Sequence, residues 1–294
     1  GKTTQLVRIE NASLTVELVA FGAHLYRVLA KDRQGVAENV VLNVTPISAL
    51  ATDLQYFGAT VGPVAGRIKQ AQIGELNLEA NENGNSLHSG SQGWSFQEWD
   101  LAWQESDDEI TVTFSYVDGK SGFPGPIAAQ VIYRLVDDQL SMTFTGESPV
   151  ATFFNPTNHG YFNLSGELKT DIRQQVLEIS ADHILETTAE LIPTGTCLPV
   201  AETAYDFTTA KPLEDALKAL PNGLDTAFVF GDHAADHRVR LYDQASGRQL
   251  DVTSEADSVI IYSASGWDRE TQVNDRPMVK ELGLAIEFQE LPDL

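Results

Sequence analysis

The sequence predicts an all-β fold, a large antiparallel β-sandwich. Two patterns carry that expectation: many short alternating apolar/polar runs separated by Gly, Asn, Asp and Pro, and almost no stretch with helical periodicity. A chain of 294 residues without a low-complexity linker, a charge block or an internal repeat is read as one domain spanning residues 1–294.

Leu14, Val16, Leu18 and Ala20 alternate with Thr15, Glu17 and Val19, which predicts a strand with one buried face. Phe21-Gly22-Ala23 breaks it, and a second extended run follows over 24–30, as in a hairpin. A short apolar strand is expected over 39–44. Residues 51–70 carry three glycines and a proline among irregular apolar residues and read as a tightly folded loop. Another short strand is expected over 73–80. Residues 81–90 are polar and turn-rich, ending on His88-Ser89-Gly90.

The clearest amphipathic strand runs from Ile110 to Tyr116, with Ile, Val, Phe and Tyr alternating with Thr and Ser. Residues 118–125 form a loop, and 131–145 read as a hairpin turning at Asp137-Asp138-Gln139. The apolar run 150–154 reads as a buried strand that delivers Asn155-Pro156-Thr157-Asn158-His159-Gly160 into a cleft. One helix is expected over 213–220, with Pro212 in its first turn and Asn222-Gly223 stopping it. A further hairpin spans 239–252. The last strand, 284–292, puts Ala285, Glu287 and Gln289 on one face and Ile286 and Phe288 on the other.

Composition excludes several roles. Nineteen Lys and Arg against 42 Asp and Glu give a net charge of −23, which repels nucleic acid and anionic membrane surfaces. It also weighs against a phosphorylated substrate. Cys197 is the only cysteine, so no intrachain disulfide forms, which fits a reducing compartment. No apolar run approaches the roughly 18 residues of a membrane span, and the first residues lack a signal-peptide core. A cytoplasmic location is expected; the oligomeric state is open.

Histidine is the side chain best suited to exchange protons near neutral pH. Of the six histidines, His88 and His159 lie in Asn/Gly-rich loops after strands. His183, His233 and His237 have polar or acidic neighbours and read as surface residues, while His24 fits either core or surface. His159, flanked by Asn158 and Asn163, reads either as a turn histidine or as a proton carrier whose neighbouring amides fix its ring or grip a polar ligand. Glu287 reads as a solvated strand glutamate or as a carboxylate lining a cleft, the first being commoner for glutamate. Asp225 either closes a turn or accepts hydrogen bonds from a vicinal diol. No histidine pair with a third ligand suggests zinc, and neither a phosphate-binding glycine loop nor a Gly-x-Ser-x-Gly elbow is present.

Five segments, in order along the chain, resemble the aldose 1-epimerase (galactose mutarotase) family. They are Gly66-Arg67-Ile68, Asn85-Ser86-Leu87-His88, residues 157–164, Gly223-Leu224-Asp225 and Glu287-Phe288-Gln289. Residues 118–125, 191–195 and Tyr205-Asp206-Phe207 agree as well, so the resemblance spans nearly the whole chain. Two departures are a serine at Ser89, where relatives more often have glycine, and an end at Leu294 where relatives continue.

The resemblance implies a β-supersandwich and interconversion of the α and β anomers of free aldoses such as glucose or galactose. It implies Glu287 as general base, His159 as general acid, and Arg67, His88 and Asp225 as sugar-binding residues, with no metal and no cofactor. A hexose-6-phosphate epimerase, a non-catalytic sugar binder and an acid/base glycosidase using Asp225 and Glu287 are the alternatives. The first would need clustered cations, of which the motifs supply only Arg67.

Overall fold

A computed structural model describes residues 3–231, 236–267 and 270–291. Strands dominate it, and in the three sheets described below neighbouring strands pair antiparallel. The chain divides into two compact units, neither continuous in sequence. One comprises the residues up to Val28 with Leu50–His159; the other comprises Leu29–Ala49 with the chain from Gly160 onward.

The first unit is built on a four-stranded meander, Asp100–Glu105, Ile110–Asp118, Ile127–Val136 and Gln139–Glu147, in that order. Alternation decides its faces. Val112, Phe114, Val131, Tyr133 and Leu135 are buried, while Thr143, Thr145, Gln130 and Arg134 face the other way. Phe114 meets Tyr133 edge to face, with ring centroids 5.9 Å apart, and the Tyr133 hydroxyl donates to the Ala23 carbonyl at 2.8 Å. Burying such an aromatic side chain stabilises a fold by about 1.5–3 kcal/mol. Trp94, fully buried, donates its indole N–H to Asp118 at 3.0 Å. Gly62 lies so close beneath the Trp94 ring that a β-carbon there would sit 2.2 Å from it, so only glycine fits.

The second unit holds a six-stranded sheet in the order Tyr161–Phe162, Leu284–Gln289, Ser258–Tyr262, Asp225–Val229, His183–Thr187, Pro193–Pro199. A four-stranded sheet, Lys211–Pro212, Val176–Ile179, Val239–Tyr242 and Gln249–Val252, accompanies it. The central strands of the larger sheet are buried on both faces: Phe228, Val259 and Ile261 on one, Ala227, Ala285 and Glu287 on the other.

Most expected elements form, including the strand from Leu14, the hairpins at 131–145 and 239–252, and the helix, Leu213–Ala219. Pro212 precedes that helix as its N-cap rather than sitting in its first turn. Three expectations fail. Residues 73–80 do not form one strand; Gln72–Ile73 and Leu76–Asn77 make a minimal hairpin around Gly74, whose positive φ supplies the reversal. Over 39–44 only isolated bridges at Val41 and Val44 follow the Ala37–Asn39 strand. The run 150–154 is no buried strand: Val150, Phe153 and Phe154 are exposed, and regular pairing begins at Thr157–Asn158. Hydrophobicity was present there without alternation, and the neighbouring ladder is already complete at Glu147.

Candidate active site

In the first unit, two-stranded fragments place the histidines. Thr157 and Asn158 pair with Val61 and Thr60, and His159 extends the ladder by one residue. Its N–H donates to the Ala59 carbonyl at 2.9 Å and its own carbonyl accepts from Gly58 N–H at 2.9 Å. Arg67–Ile68 pairs with Ser86–Leu87, and His88 follows directly with φ of 52°, in the left-handed region. Its N–H donates to the Gly66 carbonyl at 3.0 Å, and its Nδ1 accepts from Gly66 N–H at 3.1 Å. An accepting Nδ1 in a neutral ring puts the proton on Nε2.

The two imidazoles meet edge to face, with centroids 5.4 Å apart. Tyr56 stands against both, 4.7 Å from the His88 ring and 5.8 Å from the His159 ring. Both histidines are buried. Removal from water disfavours the imidazolium and draws the His159 pKa down to about 3. His88 is lowered well below its ordinary value by burial, then by His159 and Arg67 beside it. Arg67 presents its guanidinium to Glu82 in a two-pronged contact, Nε to Oε2 at 2.5 Å and an Nη to Oε1 at 2.9 Å. Sequence reasoning missed Glu82 and Tyr56. Glu82 lies within a polar turn where any carboxylate looks solvated, and nothing in the order of residues pairs it with Arg67.

In the second unit, regular sheet geometry places the carboxylates. Asp225 opens the Asp225–Val229 strand and pairs with Tyr262, while Ile260, two residues earlier, pairs with Glu287. Partners across a ladder share a face, so Asp225 and Glu287 lie on one face of one sheet with the Ser258–Tyr262 strand between them. Their backbones stand roughly 10 Å apart across the strands and about 7 Å along them, by ordinary strand spacing. Glu287 is 3% exposed, which removes the solvated reading. Gly223 makes the turn before Asp225: its φ is 74°, and a β-carbon would fall 2.1 Å from the Ser265 hydroxyl. Leu224 N–H then donates to the Ser263 hydroxyl at 2.8 Å, fixing where the strand begins.

The flanking asparagines serve the backbone. Asn158 donates to the Gly58 carbonyl at 3.0 Å and to the Tyr133 hydroxyl at 3.3 Å. Asn163 donates to the Thr170 and Leu282 carbonyls and accepts from Ser165 and Gln175. Neither amide fixes the histidine ring in these contacts, contrary to expectation. Of the remaining histidines, His183 is exposed and paired with Asp182, as expected. His237 is not a surface residue, its side chain being only 12% exposed and 3.5 Å from Glu178. His24 belongs to the core, where burial lowers its pKa to about 4. His233 lies outside the described residues.

A model of the aldose 1-epimerase family matches residues 5–294, nearly the whole chain. The chain belongs to the aldose 1-epimerase family. Human galactose mutarotase is 32% identical over 302 residues, covering 100% of this chain and 87% of that protein. An aldose 1-epimerase of Streptococcus thermophilus is 31% identical over 312 residues, with the same two coverages. Among solved structures, galactose 1-epimerase from Lactobacillus acidophilus superposes with a TM-score of 0.85 at 26% identity, over 99% of this chain and 91% of that one. These likenesses agree with the all-β expectation. Among the described residues no helix is long and apolar enough to cross a membrane.

Proposed function

We propose that the protein is an aldose 1-epimerase that interconverts the α and β anomers of free aldoses such as galactose or glucose. The whole chain acts as one domain in this reading, located in the cytoplasm. Glu287 is the general base, His159 the general acid, and Arg67, His88 and Asp225 bind the sugar.

One observation supports joining the histidine to the carboxylate. Gly160, the residue after His159, accepts a hydrogen bond at 3.2 Å from the N–H of Ile286, the residue before Glu287. Gly160 and Ile286 both belong to the second unit, and His159 is the residue covalently preceding Gly160.

The chemistry follows from the groups. Glu287 takes the proton of the C1 hydroxyl, the C1–O5 bond breaks toward O5, and O5 takes a proton from His159. A free aldehyde results. Rotation about C1–C2 presents its other face, and the two residues reverse roles as the ring closes. Burial alone keeps the His159 imidazole neutral. To act as the acid, His159 takes a proton from solvent as the sugar binds; the imidazolium so formed is a strong acid, and a carboxylate serving the same sugar stabilises it by charge attraction. Each positioned proton transfer supplies about 10²–10⁴ in rate, enough for a reaction that already proceeds slowly in water.

Arg67 already spends two N–H groups on Glu82, and no other cation belongs to the candidate set, which disfavours a phosphosugar substrate. Polarimetry of freshly dissolved α-galactose and α-glucose tests the reading. The expected result is faster decay of optical rotation than in buffer. Decay at the buffer rate for every common free aldose would overturn it, and release of sugar from an aryl glycoside would favour a glycosidase instead.

A further inference from the structure

We infer that Tyr56, held in place by Asp53, is a positioning residue for this reaction: its ring walls the imidazoles of His88 and His159 into their working orientations. The inference rests on the function proposed above and adds a residue that neither motif nor periodicity singled out.

The geometry is specific. The Tyr56 ring meets His88 nearly edge-on, at an interplanar angle of 73°, and lies tilted at 31° against His159. Phe96 backs the phenol ring at 5.7 Å. One flat side chain therefore touches both candidate histidines, which touch each other. A ring in contact with two imidazoles restricts how either can turn, and it occupies volume that water would otherwise fill.

The backbone beneath it is strained. Tyr56 has φ of 57°, a left-handed conformation that is unfavourable for a bulky residue and persists only where the surroundings impose it. The buried Asp53 carboxylate imposes it. Oδ1 accepts from Gln55 N–H at 2.8 Å and Oδ2 from Phe57 N–H at 2.9 Å, the amides on either side of Tyr56. Ala59 N–H closes the turn on the Tyr56 carbonyl at 3.0 Å. Glycine would make this turn without strain. What the strain retains is the ring.

The phenol itself is a poor proton carrier. Burial, with Asp53, Glu82 and Glu79 nearby, pushes its pKa up to about 12, so it stays neutral at working pH. The role assigned is that of the ring plane, and Tyr56→Phe is expected to keep it.

The test compares Tyr56→Phe, Tyr56→Leu and Asp53→Asn in the full chain, by polarimetric kcat and KM and by NMR titration of the histidine rings. Tyr56→Phe is expected to retain the kcat of the parent protein. Tyr56→Leu and Asp53→Asn are expected to lower kcat by about tenfold to 100-fold, the range for misplaced groups, with KM changing much less. In both, the His88 and His159 titrations move up toward the ordinary value near 6.5 as water reaches the rings.

A folded Tyr56→Leu protein with parental kcat and unmoved histidine titrations would overturn the inference. So would a Tyr56→Phe protein as impaired as Tyr56→Leu, since that would make the hydroxyl the working part. If Tyr56→Leu does not fold, Asp53→Asn against Tyr56→Phe decides by the same readouts. The titrations need no turnover: histidines that shift in a protein inactive on every aldose would uphold the wall and overturn only the proposed reaction.

Discussion

The histidines and the carboxylates of the candidate site are held by different kinds of structure. His88 and His159 sit at the ends of two-residue strands, in backbone that needs left-handed residues at Tyr56, His88 and Ser89. Asp225 and Glu287 sit in the regular ladders of a six-stranded sheet. A sheet fixes direction by its pleat, so two carboxylates acquire a common face from register alone. Short fragments fix direction only through side-chain and turn contacts. The first arrangement yields rigidity cheaply; the second puts two rings together at the cost of strain and of burying groups that prefer charge.

The largest expected effect falls on both halves alike. Glu287→Gln and His159→Asn each lower kcat by about 10²–10⁴ while circular dichroism stays native. A variant with a near-parental rate would remove its residue from the mechanism and leave one half of the comparison without a role.

Next comes stability of the sheet. Phe228, fully buried on the opposite face of the strand that carries Asp225, leaves a cavity when truncated, and Phe228→Ala should cost about 3–5 kcal/mol by denaturant unfolding. A loss under about 1 kcal/mol would show that the site-bearing sheet does not depend on its core face.

The pH dependence of stability should belong to the histidine-bearing unit. Folded-state pKa values of about 4 for His24 and about 3 for His159 lie below the ordinary histidine value, and His88 is lowered too. Their stabilisation is complete above pH 6.5 and is lost as pH falls toward those folded values, on the order of 3 kcal/mol at pH 4 for His159. Asp53, raised to about 6 by burial, acts oppositely: it gives up stability as pH rises from its ordinary value through 6. The melting temperature should fall between pH 6.5 and 4, less steeply in His159→Asn and more steeply in Asp53→Asn. A flat profile in the parent protein would contradict the burial of the imidazoles.

The smallest effect is expected at Cys197, exposed on the sheet's outermost strand, Pro193–Pro199. Cys197→Ser should change stability by no more than about 0.5 kcal/mol and leave the rate unchanged.

The same contrast governs what could be read from sequence. The strand faces at 110–116, 131–145 and 284–289 were legible because alternation is a local signal and each was long enough to show it. Glu287 was assigned to the right face, yet only the sheet shows that both faces are buried. The histidine half was legible only through family resemblance. Its positions depend on turns and on contacts between residues far apart, such as Tyr56 with His159 and Arg67 with Glu82, which no periodicity encodes. The run 150–154 misled for the complementary reason: five apolar residues look like a buried strand unless their pairing partners are known.

The central claim is that His159 and Glu287 act as one acid/base pair, and a double-mutant cycle tests it most directly. Polarimetric rates of the parent protein, Glu287→Gln, His159→Asn and the combined variant on freshly dissolved α-galactose give the coupling. If the two residues serve one transition state, the double variant is about as slow as the slower single variant. If the two losses multiply, the residues act independently and the paired mechanism is wrong.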